Sequence, residues 1–307
     1  MAEVSFELWM KERQAHFERV AEEGIPGEKE FPEGLHEAMR WSILEGGKRV
    51  RPLLCYAASA LTAADPASAD AAALALECIH SYSLVHDDLP CMDNDMMRHG
   101  KASTHAKFGF AEAVLAGDAL QAEAFEVLAA GAVPAERVPG LVKLLAFAAG
   151  SRGMCGGQAV DLALTGTGGA GVGLTELRRL HSMKTGALIR AAVLMGAACG
   201  RAELDTPALR EDLSAYGSAI GLAFQVIDDI LDVTGDTATL GKTAGKDAEE
   251  EKATYVSILG LEGARALARE ARDEALAALS RIEGLPQYAG KTLRLREIAD
   301  FVVSRDR

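Results

Sequence analysis

One stretch governs the reading of the chain: His80-Ser81-Tyr82-Ser83-Leu84-Val85-His86-Asp87-Asp88-Leu89-Pro90-Cys91-Met92-Asp93-Asn94-Asp95. It continues an Ala-rich helical run that starts near residue 69, and Pro90 disturbs that helix just after Asp87 and Asp88. The break lets Asp93 fold back toward the aspartate pair. Carboxylates gathered without interspersed Lys or Arg repel one another unless a cation joins them, so the cluster points to metal binding.

Composition agrees with a helical reading. The chain has 307 residues, 49% hydrophobic, which excludes disorder, and only 5% aromatic, with alanine abundant. That mixture favours closely packed helices over sheets and predicts an all-α fold. No repeat or Pro/Ser-rich linker divides it, so residues 1–307 are expected to form a single domain. A net charge of −13 argues against a nucleic-acid partner, because phosphate backbones are bound by excess Lys and Arg. Cys55, Cys78, Cys91, Cys155 and Cys199 lack CxxC spacing and read as free thiols filling the core. The apolar stretch 191–200 is too short to span a membrane, and charges recur from Glu3 to Glu23 where a leader would be apolar. The expected location is cytoplasmic, without stable membrane insertion.

Further out, Phe224-Gln225-Val226-Ile227-Asp228-Asp229-Ile230-Leu231-Asp232 places carboxylates at i, i+1 and i+4 of an apolar helix, with Asp228 and Asp232 on one face. Mg2+ favours one or two carboxylates plus water and substrate phosphates, so two aspartate clusters suggest a phosphorylated ligand between them. Cations suited to such a ligand stand at Gly46 to Pro52, Arg98 to Lys101, Lys184-Thr185 and Gly241 to Thr243. Between these motifs the chain reads as helices, including one capped by Thr175 and ending at Gly200, one from Thr206-Pro207 to Asp232, and two over roughly 247–282 and 287–304. Residues 93–105 and 166–173 read as loops, and no strand pattern is visible.

With these elements in order, the chain resembles the short-chain trans-polyprenyl diphosphate synthases, and most of all the bacterial farnesyl diphosphate synthases. The resemblance rests on Asp87 to Asp93, Asp228 to Asp232, Gly46 to Pro52, Lys184-Thr185-Gly186, Gly156-Gly157-Gln158 and Gly241 to Asp247. It implies a helical isoprenoid-synthase fold, a homodimer, and Mg2+, three ions, as the cofactor. Asp87, Asp93 and Asp228 would be the strongest metal ligands, with Asp88, Asp229 and Asp232 direct or through water. Gly47, Lys48, Arg51, His80 and His99 would hold isopentenyl diphosphate. Arg98, Lys184 and Lys242 would grip the allylic diphosphate, and Thr185 and Gln225 would line its site and steady the developing cation. Tyr82, with Ser83 beside it, would form a floor that stops elongation at C15. His86 reads as structural support for Asp87 rather than as an acid or base, and the tail 304–307 as a segment able to close over the site.

The implied reaction condenses isopentenyl diphosphate with dimethylallyl and then geranyl diphosphate to give farnesyl diphosphate. Geranylgeranyl or geranyl diphosphate synthesis, a terpene cyclase and a non-catalytic regulatory subunit remain as alternatives. One departure stands out: His99 occupies the place of a family arginine. The expectation is weaker binding of isopentenyl diphosphate at alkaline pH, and a lower KM on replacing His99 with Arg.

Overall fold

The structure, a computed structural model, describes residues 4–44, 46–165, 172–235 and 252–305, and these are helical apart from connections and one short hairpin. α1 (Phe6–Gly24), α2 (Glu33–Ile43) and α3 (Val50–Ser59) lead to α4 (Pro66–Asp87). Asp65 caps α4 by accepting the Ala67 N–H at 2.9 Å, with Pro66 in the first turn, where its missing N–H does no harm. The hairpin β1 (Met97–Arg98) and β2 (Lys101–Ala102) precedes α5 (Thr104–Phe108), α6 (Phe110–Ala129), α7 (Val138–Ala149), α8 (Met154–Thr165) and α9 (Leu174–His181). Then come α10 (Ala187–Ala198), α11 (Pro207–Thr234), α12 (Tyr255–Glu283) and α13 (Leu293–Ser304).

α4 and α10 are apolar nearly all round, as helices surrounded by others must be. Their many alanines let neighbours approach closely, and one buried cluster runs from Phe17 of α1 through both to Val302 of α13. Among the described residues no helix is long and apolar enough to cross a membrane.

Four features differ from the sequence reading. The segment 93–105 contains the hairpin, whose two-residue turn is His99-Gly100, both with positive φ (51° and 77°). This is the conformation that matches strand twist, normally supplied by Asn-Gly or Asp-Gly. The helix expected from Thr175 to Gly200 is divided: α9 has Gly173 as N-cap and ends at His181, and Ser182–Gly186 forms a π-helical turn. Close packing goes with that turn, for a Cβ on Gly157 of α8 would lie 2.3 Å from the Lys184 nitrogen and one on Gly221 of α11 2.8 Å from Gly186 Cα. α12 begins at Tyr255 on a Thr254–Ser257 capping box, while the expected start near 247 lies outside the described residues, as does 166–171. Of the five cysteines, Cys55, Cys78 and Cys199 are buried, but Cys91 and Cys155 are exposed.

Candidate active site

The first aspartate cluster is built where α4 ends. The Asp93 N–H donates to the Asp87 carbonyl at 2.8 Å and the Asp95 N–H to that of Asp88 at 3.1 Å, so the chain does fold back after Pro90. The hairpin then returns Arg98 onto Asp88, whose Oδ1 accepts from Nε at 3.0 Å; Asp88 is 2% exposed. Against the desolvation of burial, Asp88 and Asp95 hold the Arg98 guanidinium above its ordinary value. Arg98, expected on the allylic diphosphate, is therefore engaged with Asp88 in this state. Burial pushes Asp87 up to about 6, with Asp93 and Asp88 adding to the shift and Lys184 and Arg98 opposing it. The Lys252 Nζ stands 3.9 Å from the Asp93 carboxylate.

The second cluster lies on the last turns of α11. Asp229, 2% exposed, accepts the Tyr255 N–H at 2.7 Å and the Gln225 side-chain amide at 3.0 Å, which ties the start of α12 to α11. Gln225 accepts in turn from the Thr185 hydroxyl at 2.9 Å, so the π-turn and α11 are held in one network. Asp228 accepts from Arg305 at 2.6 Å, and that guanidinium, 4% exposed, also bonds the Phe224 carbonyl and lies 3.9 Å from the centre of the Phe224 ring. Asp232 is buried one turn beyond Asp228.

Among the cations, Arg49 proves structural: it is buried against Glu18 at 2.7 Å, Glu77 at 2.8 Å and the Ile43 carbonyl at 2.5 Å, fixing the turn that carries Gly47, Lys48 and Arg51. Burial lowers Arg51 despite Glu77 and Asp228, and its Nε is buried without a partner. Burial, then Arg51 and His99, push His80 well down, placing these groups in one field. His99 packs its ring along Gly46 and Gly47 yet leaves over a third of its surface in water. Partial desolvation and then Arg98, Arg49, Lys101 and Lys48 push it down, to about 4. Water on its open side works against that shift. The ligand-free protein thus carries a neutral imidazole at pH 7, and the expected alkaline loss concerns a ring charged by a bound diphosphate.

A cavity of about 350 Å³ joins the elements. Asp87, Lys184, Thr185, Arg51 and His80 line it together with Tyr82, Ser83, Cys155 and Leu162. The Ser83 hydroxyl turns back to the His80 carbonyl at 2.7 Å. His86 rests on the Val114 carbonyl at 3.1 Å, against Gly117 of α6, which fits a structural role. Lys242 lies outside the described residues. Sequence reasoning missed Asp161, which accepts from Lys184 at 2.5 Å, Cys155, and Arg305 on Asp228. It also left Gln158 unassigned, although both of its buried amide atoms lack partners in this cavity. The spacing Gln158-x-x-Asp161, one helical turn, was the available signal.

Among the described residues no three Asp, Glu, His or Cys side chains converge into a complete metal site. Burial is the largest cause of the upward shift of Asp87, with the neighbouring Asp93 and Asp88 adding to it, and a cation there would offset both.

The polyprenyl synthetase family model matches residues 32–284. Farnesyl diphosphate synthase of Escherichia coli is 47% identical over 88% of this chain and 89% of its own length. A chloroplastic geranylgeranyl pyrophosphate synthase of Capsicum annuum is 43% identical over 98% of this chain and 79% of its own. In structure, a geranyltransferase from Helicobacter pylori complexed with magnesium and isoprenyl diphosphate superposes with a TM-score of 0.82 at 33% identity, covering 99% of this chain and 98% of that one. The all-helical architecture, the two aspartate clusters on α4 and α11 and these likenesses have one conclusion: the chain belongs to the polyprenyl synthetase family.

Proposed function

We propose that the protein is a Mg2+-dependent farnesyl diphosphate synthase, condensing isopentenyl diphosphate with dimethylallyl and then geranyl diphosphate. The observation that carries this reading is the cavity itself: diphosphate-binding chemistry at Asp87, Lys184 and Arg51, and an aromatic wall at Tyr82. Overall similarity does not choose the product length, since relatives named for both products stand at 47% and 43% identity. Tyr82, buried to 5% exposure, favours C15 over C20 by limiting depth.

In this mechanism the allylic C–O bond breaks and its electron pair leaves with the diphosphate. Three Mg2+ ions held by Asp87, Asp93 and Asp228, with Asp232 nearby, would neutralise the charge that develops on that leaving group. Lys184 is oriented by Asp161 and adds a protein cation; Lys242 is assigned the same role by its motif. Thr185, which lines the cavity, and Gln225, which accepts its hydroxyl, would line the allylic site and steady the developing cation. Gly47, Lys48, Arg51, His80 and His99 hold isopentenyl diphosphate so that its double bond attacks the cation. The released diphosphate takes the proton, and the double bond re-forms. Asp88 and Asp229 act by fixing Arg98 and the start of α12.

The active form we propose is a homodimer. Val114 and Leu115 of α6, Phe147 of α7 and Val160 of α8 are each at least 40% exposed on successive helices and supply an apolar surface for a second copy. Purified protein incubated with Mg2+, isopentenyl diphosphate and each allylic primer tests the reaction. A dominant C15 product from dimethylallyl and geranyl diphosphate supports it; mainly C20 would overturn the Tyr82 floor, and no condensation would sink the reading.

A further inference from the structure

The Tyr82 ring has a defined seat. It stands edge-on to the His86 ring at 5.8 Å between centres, and its hydroxyl ends on the Cys155 sulfur at 3.3 Å, with the Gln121 side chain alongside. Cys155 belongs to α8, whose cavity face carries Cys155, Gln158, Ala159 and Leu162, the spacing of one helical stripe. α8 has no freedom to move toward the π-turn, because Gly157 already brings its backbone against Lys184. The position of residue 155 is therefore set by backbone contacts, and its side-chain size remains the variable.

We propose that Cys155 is a specificity-determining residue, forming with Tyr82 a two-part floor that sets how long the product grows. The inference rests on the farnesyl diphosphate synthase reading and deepens it. A small residue at 155 removes the atom against which the Tyr82 hydroxyl rests and opens space beyond the ring. A large one fills the end of the cavity before a C15 chain is accommodated. The first condensation, which makes C10, stops short of the floor and is insensitive to either change. The two steps thus respond differently, which general loosening of the fold would not produce.

The test is a size series at one position, C155A, C155M and C155F, beside Y82A, with thermal melts to check folding. The first and second condensations are measured separately, from dimethylallyl and from geranyl diphosphate. For C155A we expect the C20:C15 ratio to rise about fivefold. For C155F we expect turnover of geranyl diphosphate to fall about tenfold, a change of ~1.4 kcal/mol in barrier, with dimethylallyl turnover within twofold of the parent. C155M should fall between, and it carries the test if C155F does not fold, since its unbranched chain adapts to the space. Unchanged ratios across the series while Y82A shifts them would assign the floor to Tyr82 alone and overturn this inference. Unchanged ratios for Y82A as well would place the floor elsewhere and overturn both assignments, with the synthase reading intact. A parent protein that performs no condensation overturns the synthase reading itself and this inference with it.

Discussion

The two aspartate clusters read alike in sequence but are built differently. The first sits at a helix end, with Asp93 delivered by a turn; the second lies within α11, its members placed by helical repeat alone. Each nevertheless commits one carboxylate to the scaffold: Asp88 to Arg98, and Asp229 to the Tyr255 N–H and Gln225. Both scaffold carboxylates are 2% exposed, while Asp87 and Asp228 remain part-exposed. Identity of residue type thus hides a division of labour, which the surrounding donors reveal.

Substitution separates the two classes, and here the largest effects are expected. Asp87→Asn and Asp228→Asn should lower kcat roughly 10²–10³-fold, the scale of losing a group aimed at developing charge. Their urea midpoints should stay level or rise. Asp88→Asn should instead destabilise by about 2 kcal/mol, because it removes the more buried of the two carboxylates that hold the Arg98 charge and leaves only Asp95, at 3.4 Å. Arg98→Gln in the Asp88→Asn background should recover most of that loss. Equal stability of Asp87→Asn and Asp88→Asn would break the distinction.

How much of this was legible follows the same division. The fold class could be read because alanine-rich periodicity is local, and the two aspartate clusters because carboxylates without cations beside them are anomalous in sequence. The partner of each aspartate was hidden. Arg98 meets Asp88 on the return of the chain after Pro90, where the Asp93 and Asp95 N–H groups bond the Asp87 and Asp88 carbonyls, and the His99-Gly100 turn that follows lacks the usual Asn-Gly signature. The π-turn under Lys184 and Thr185 is packed against Gly157 and Gly221, residues distant in sequence. Arg305 reads as one basic residue of a tail, and Cys155 as a core filler, until the fold sets them on Asp228 and Tyr82.

Arg305 gives the comparison its second test. In this state its guanidinium serves as counterion to Asp228, whereas Asp93 faces Lys252 at 3.9 Å. A divalent cation arriving at Asp228 competes with Arg305. Arg305→Gln should therefore tighten Mn2+ binding, read by electron paramagnetic resonance with inorganic diphosphate present, by about three- to fivefold, the value of an ion pair near ~1 kcal/mol. Weaker binding would show that Arg305 assists the diphosphate rather than competing with the metal. No change would remove it from the site.

The smallest effect concerns His99, the turn residue that follows Arg98. Its value is lowered from 6.5 toward about 4. A base held below its unfolded value binds fewer protons when folded, so its contribution to stability is full above pH 6.5 and is lost as pH falls toward 4. Between pH 7 and 9 the ring in the ligand-free protein stays neutral, and it can contribute hydrogen bonding to a diphosphate without a charge. His99→Arg adds a permanent cation at a turn whose positive φ already carries a side chain, so the backbone demand is unchanged. The KM for isopentenyl diphosphate should fall about threefold, by a similar factor at pH 7 and pH 9. A proton NMR titration of His99 with a midpoint well below 6 would support the neutral ring. An arginine advantage that grows toward pH 9 would instead show that bound diphosphate recharges the histidine at neutral pH, restoring the alkaline weakness its sequence position suggested.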